Sequence, residues 1–308
     1  MTVVKFFTDV YNGALVVFLL TLIASLGMTL TLAQIAAPLK RVWVLLGLIV
    51  VNFALIPLVA IGIAHVLPLQ SQARTGLEIV VIAAGAPIAM KACQMAKRAN
   101  VAMAVSFTII LIVLDIPIAP LWAKSLISGA KVDVWSILEN LIFVVLLPLV
   151  VGLILMTRYP EHRDTWKAGL ERTSNIALYI ALGVGLAVNW HSLVTSVGSW
   201  VLLASVLIII ASTVLGAVVG FRQRETAITT SLLSSFRFTP VGLLVIGTVL
   251  DNQSAYLTPA LIFVLVDTFL PLGLAAEIGH RHQVTTGSKK SALAEPSAIA
   301  AGNSGKAG

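Results

Sequence analysis

The sequence predicts an all-α polytopic membrane protein, and three observations carry that prediction. Of 308 residues, 58% are hydrophobic and only 11% charged, and the mean hydropathy is +1.01, far from the balance of a soluble domain. The apolar residues fall into nine stretches separated by short polar turns, each near the ~20 residues that cross a bilayer core as a helix. Lys and Arg gather in those turns and form no stripe. The formal charge of +7 therefore points to loop anchors at a lipid bilayer, with no nucleic acid as partner.

The first stretch, residues 11–34, resembles a secretory leader only at first sight, because its apolar run from Gly13 to Leu32 is long and no small-residue cleavage site follows. The second, 42–66, follows Lys40 and Arg41 and carries Asn52. The third, 76–96, contains Gly85, Ala86 and Pro87, then Lys91, and ends at Lys97 and Arg98. The fourth, 100–126, carries Thr108 and Asp115 with Pro117 and Pro120 close behind. The fifth and sixth, 134–157 and 173–190, flank a basic turn with Arg158, Arg163, Lys167 and Arg172. The seventh, 198–220, precedes Arg222 and Arg224. The eighth, 226–249, holds Ser234, Ser235, Arg237, Thr239, Pro240 and Gly242, and the ninth, 256–279, holds Asp267, Pro271 and Gly273.

Residues 284–308 are rich in Ser, Ala, Gly and Lys, too polar to span and too poor in large apolar side chains to make a core, so a disordered cytoplasmic tail is expected. Trp43, Trp122, Trp190 and Trp200 lie near span ends, where amphipathic rings sit at the membrane interface. Asn189 and His191 close the sixth span as ordinary interfacial polar residues. The single cysteine, Cys93, excludes a disulfide framework or a cysteine metal site within the chain.

Fourteen Lys and Arg residues lie on the side of Lys40 and Arg224, and four, Lys5, Arg74, Lys124 and Lys131, lie on the other. The excess marks the cytoplasmic side. It sets the N-terminus outside and the C-terminus in the cytoplasm of a plasma or inner membrane, as an odd number of spans requires.

Lys91, Asp115, Arg237 and Asp267 stand inside spans, with Glu78, Glu139 and Glu277 near span ends. Arg237 lies about 16 Å from the cytoplasmic end of its span, near the middle of a ~30 Å core, beyond comfortable snorkelling. Asp267 falls at a similar depth on the returning helix and is the natural ion-pair partner. Such a pair can be purely structural, but a charge at membrane depth costs at least about 2.5 kcal/mol on insertion scales, which favours a functional role. Lys91 is about 9 Å from the cytoplasmic end, so snorkelling competes with a place in a site. Asn52, Thr108, Ser234, Ser235 and Thr239 are candidate cavity-lining groups, though Ser and Thr in membrane helices often bond their own backbone.

The placement repeats. The third and eighth spans each join a helix-breaker, at Pro87 and Pro240, to a cation, and the following span each time carries an Asp ahead of a proline. Odd separation makes the two broken helices run in opposite directions, as in inverted-repeat transporters whose discontinuous helices meet at the midplane. Proline frees backbone carbonyls and half-helix ends carry partial charge, which membrane depth tolerates only inside protein or beside a wet cavity.

SLGMTLTLAQI, NFALIPL, ANVAMAVS and LLPLVVGLIL, with the broken eighth span, resemble the bile acid:sodium symporter (BASS) family over nearly all of residues 11–280. The resemblance implies a panel domain of spans one, five and six and a core domain of spans two to four and seven to nine, related by inverted repeats, with two crossing broken helices. It also implies a sodium-coupled carrier of organic anions. Here the chain departs. The register implied by the resemblance puts the family's sodium-binding Asn on Lys91, its Glu and Gln on Ser235 and Thr239, a further Gln on Asn52, and hydroxyl ligands on Ala104 and Thr108. An ammonium at ~4 Å repels a sodium ion by about 4 kcal/mol at an effective dielectric near 20, so the usual sodium sites are not expected.

Lys91 and Arg237 are instead expected to stand in for bound cations and to favour a small anionic substrate, with Lys91 an alternative proton carrier. No cofactor, resident metal or enzymatic motif is expected. The rivals are a sodium-coupled symporter, an arsenite-type exporter, a passive ion channel and a membrane sensor. The arsenite exporters resemble one another in a cysteine just after the breaking proline, where this chain has Ile88.

Overall fold

The computed structural model describes residues 2–29, 41–127, 133–188, 200–250 and 253–302; residues 30–34, Trp190, Asn189 and His191 fall outside them. Every regular element among the described residues is helical: α1 (Thr2–Met28), α2 (Val42–Val66), α3 (Ser71–Ile82), α4 (Ile88–Ala96), α5 (Val101–Leu126), α6 (Val134–Arg158), α7 (Arg163–Val188), α8 (Trp200–Val219), α9 (Arg224–Ser235), α10 (Thr239–Val249) and α11 (Ser254–Gly302).

Among the described residues, seven stretches are long and apolar enough to cross a membrane: α1, α2, α5, α6, α8, the α9–α10 pair and Ser254–Arg281 of α11. The remaining two expected spans do not form single apolar helices of that length. The third is divided between α3 and α4, of 12 and 9 residues, each too short to cross alone. The sixth is α7, which starts at Arg163, ahead of the apolar run, and carries charge through Arg172. Helix α11 continues through the stretch from residue 284 that composition assigns to a disordered tail. Its alanines and lysines are good helix formers and extend the preceding span.

Local sequence explains the interruptions. Gly85 sits at φ +85°, and a Cβ there would lie 2.7 Å from Ile112 N, so only glycine fits both the backbone and the neighbour. Asn100 caps α5 by accepting from Met103 N at 2.9 Å, and Asp133 caps α6 by accepting from Trp135 N at 3.0 Å. Within α2 and α6 the chain widens into a π-turn at Val51–Leu55 and Ile142–Leu146. Each turn ends two residues before a proline, Pro57 or Pro148, whose ring crowds the carbonyl four residues back and whose nitrogen donates nothing.

The helices bury two apolar clusters. One joins α1 (Tyr11, Leu15, Leu19), α6 (Leu141, Val145) and α7 (Ala177, Ala181) to α2, α3, α5, α8, α10 and the start of α11. The other is built from α2, α4, α5, α9 and α11, around Phe53, Phe107, Leu232 and Phe236. It contains no residue of α1, α6 or α7. Large apolar side chains such as Trp43, Phe143, Ile154, Tyr179, Val214 and Phe269 are exposed, the outward-facing surface expected against lipid.

Candidate functional site

The two broken helices cross at their breaks. Gly242 of α10 lies against α3 so closely that a Cβ would come within 2.5 Å of Val80 Cα, and Phe238 N donates to Ala83 O at 3.1 Å. Between the half-helices sits Arg237, 1% exposed. Its Nε donates to Val81 O at 2.8 Å, its Nη1 to Asn52 Oδ1 at 2.9 Å, and its Nη2 to Asn52 O at 3.1 Å and Ile82 O at 3.5 Å. Val81 and Ile82 end α3, where carbonyls lack partners within the helix and carry the negative end of its dipole. The guanidinium fork satisfies them.

The Asn52 carbonyl is available for a reason traceable to Pro57. Inside the π-turn Ile56 N donates to Val51 O, and the next donor along would be Pro57, which has no N–H. Arg237 fills that gap. Phe53 O, four residues before Pro57, is likewise freed, and Trp122 Nε1 donates to it at 2.9 Å. Asn52 completes its bonding by donating from Nδ2 to Leu48 O and Ser234 Oγ, both at 3.0 Å.

The two aspartates serve the breaks in matching fashion. Asp115 Oδ1 on α5 accepts from Ala84 N in the first break at 3.1 Å. Asp267 Oδ1 on α11 accepts from Arg237 N in the second at 2.9 Å. Both aspartates are buried. This corrects the expected Arg237–Asp267 ion pair: Asp267 holds the backbone of Arg237, while the guanidinium turns to carbonyls. The freed N–H of a break needs an acceptor as much as the freed carbonyls need a donor.

Ser235 and Thr239 are buried at the second break. The Ser235 hydroxyl is 2.8 Å from Thr213 Oγ1 and 2.6 Å from Ser231 O. Thr108 is wholly buried on α5, and its hydroxyl has no hydrogen-bond partner. Pro87 precedes the first residue of α4, and Pro240 is the second residue of α10; each opens the second half of its broken helix, where a missing N–H costs nothing. Lys91 stands apart from this cluster. Its side chain is exposed, one turn into α4, and has no hydrogen bond or ion pair among the described residues; α4 buries its Ala89, Ala92, Cys93 and Ala96 face instead.

Sequence reasoning took Trp122 for an interfacial ring, whereas its indole is bonded to the π-turn. Trp43 and Trp200 are exposed at helix starts as expected. The overlooked signal was Pro57, since a proline inside a span announces a carbonyl needing a donor four residues earlier.

A polytopic helical protein whose two broken helices meet around one buried guanidinium has the architecture of a membrane transporter. The chain matches the model of the sodium bile acid symporter family over residues 16–219 and belongs to that family. The match includes the first break and ends before the second. No curated protein matches the chain.

Proposed function

We propose that this chain is a secondary active transporter that moves a small organic anion across the cytoplasmic membrane by alternating access, without the sodium sites implied by its family resemblance. In this reading nine spans form a panel of α1, α6 and α7 and a core of the other helices. The core halves are inverted repeats, matched by the Asp115–Ala84 and Asp267–Arg237 contacts. The N-terminus lies outside.

One observation carries the reading: the oxygens that converge at the crossing are already held by Arg237. A sodium ion takes several oxygen ligands at short range, as hard cations do, and Val81 O, Ile82 O, Asn52 O and Asn52 Oδ1 all accept from the guanidinium. Asp115 and Asp267 are engaged with the breaks, and Lys91 supplies no oxygen. The residues present do not fit a sodium ion. A permanent positive charge, the Arg237 guanidinium, stands in its place. In this reading a crevice between panel and core opens to the cytoplasm, with Lys91 on its core side. Cys93 is wholly buried and supports no arsenite ligation.

The test is thermal unfolding of the purified protein with mono- and dicarboxylates, in sodium or choline chloride. A bound anion raises the melting point with dose, by the same amount in both salts. A rise that requires sodium overturns the reading in favour of a sodium-coupled symporter. Linear, uncoupled ion flux in liposomes would establish a channel instead.

A further inference from the structure

We propose that Asp115 and Asp267 together hold one exchangeable proton in the crossing, which is the coupling ion of the transporter; this rests on the transport reading above. The argument is a charge count in a buried site. Three formally charged groups meet there, Arg237, Asp115 and Asp267, all buried. The guanidinium interacts electrostatically with both carboxylates but hydrogen-bonds to neither, its donors being spent on carbonyls and Asn52. With both carboxylates ionised the crossing carries one uncompensated negative charge. Burying such a charge is costly, and a site of this kind relieves it by taking up a proton. One proton on either carboxylate restores neutrality, and the ionisation of each bears on the other through the guanidinium that faces both.

Among the described residues, no other group supplies the missing charge. On α3 the titratable residues are Arg74 and Glu78, and both are engaged at the far end: Arg74 Nε donates to Ala64 O, and Glu78 lies 3.5 Å from His65 of α2. On α4, Lys91 is exposed and Cys93 is the other titratable group. Helices α8 and α10 have no titratable residue. On α5 only Lys124, in the last turn, is charged besides Asp115, and α6 brings Glu139 after Asp133 at its cap. The charges of α9, Arg224 and Glu225, are in its first turn, and those of α11 up to Arg281 are Asp267, Glu277, His280 and Arg281.

Each carboxylate also touches a break through one oxygen. Gain or loss of a proton there changes the acceptor that holds the Ala84 or Arg237 N–H, and so reaches the part of the fold that a carrier has to move. The proton comes from water in the crevice and returns to it.

Infrared difference spectroscopy on the purified, membrane-reconstituted protein tests this with proton and deuteron as probes. The wild type is expected to show one buried protonated-carboxyl stretch at neutral pH, shifting in D2O. Asp115→Asn and Asp267→Asn keep an oxygen to accept the break N–H but remove one negative charge. The remaining aspartate is then neutralised by Arg237, so the band is lost in both variants. A wild type without the band, a band that fails to shift in D2O, or a band that survives in either folded variant overturns the proposal. Carboxylate-dependent melting shifts would persist in any of these cases, so failure here is distinguishable from failure of the transport reading.

Discussion

The Asn52 carbonyl and the Arg237 guanidinium meet at 3.1 Å, a contact that exists because Pro57, five residues on, has no N–H to offer. One proline thus widens a helix turn, frees two carbonyls and creates places for two donors from distant segments, Arg237 and Trp122. The cation is held by the failure of local helical bonding.

That relationship makes Trp122 a structural strut. Replacing it with Phe keeps most of the ring and removes the donor to Phe53 O, and an unsatisfied buried carbonyl costs about 1–3 kcal/mol. Thermal unfolding of Trp122→Phe should show a clear drop in melting point, whereas Trp43→Phe, on an exposed side chain, should melt like the wild type.

Arg237→Lys should be nearly as damaging as Arg237→Gln. An ammonium keeps the charge but lacks the planar fork that reaches Val81, Ile82 and Asn52 together. Truncating a buried charged hub costs about 3–5 kcal/mol, so both variants should unfold at markedly lower temperature. Wild-type-like melting of Arg237→Lys would mean that charge alone suffices.

Gly242→Ala should be poorly folded, because its Cβ would come within 2.5 Å of Val80 Cα and backbone at a helix crossing cannot step aside. Overpacking of this kind costs about 1–3 kcal/mol. The matched control is Gly62→Ala, where nothing lies within 4 Å and helix propensity favours alanine by about 1 kcal/mol. Monodispersity in detergent and melting temperature should separate the two variants.

Accessibility gives a fourth check. Cys93 is wholly buried and should resist a membrane-impermeant maleimide from either side. Lys91→Cys should label readily, and only from the cytoplasmic side. Labelling from outside would reverse the assigned direction of the crevice.

Much of this was legible in the amino-acid sequence because membrane depth makes polar residues conspicuous. Arg237, Asp115 and Asp267 could be picked out by the apolar runs around them, and Pro87 and Pro240 by their helix-breaking chemistry. Their partners were not legible. Charge suggested that Arg237 would pair with Asp267, but break geometry leaves backbone groups unbonded on both sides, and those take first claim on guanidinium and carboxylate alike. Lys91 shared the sequence context of a buried cation, yet the face of α4 that packs is set by Ala89, Ala92, Cys93 and Ala96, which turns Lys91 outward. The sequence reads as nine spans, whereas seven helical stretches among the described residues are long and apolar enough to cross, because residues 76–96 are divided between two short helices and α7 is charged over its first turns.

The unequal sharing of the two apolar clusters gives the molecule a mechanical bias. Tyr11, Leu15 and Leu19 share a buried cluster with α10 and the head of α11, while the other cluster contains no residue of α1. In the proposed alternating-access cycle, opening the crossing along α1 unzips this oily seam and wets it, whereas return needs only its closure. The opening stroke there bears the larger wetting penalty, and cooling, which weakens apolar cohesion, eases that stroke relative to closure.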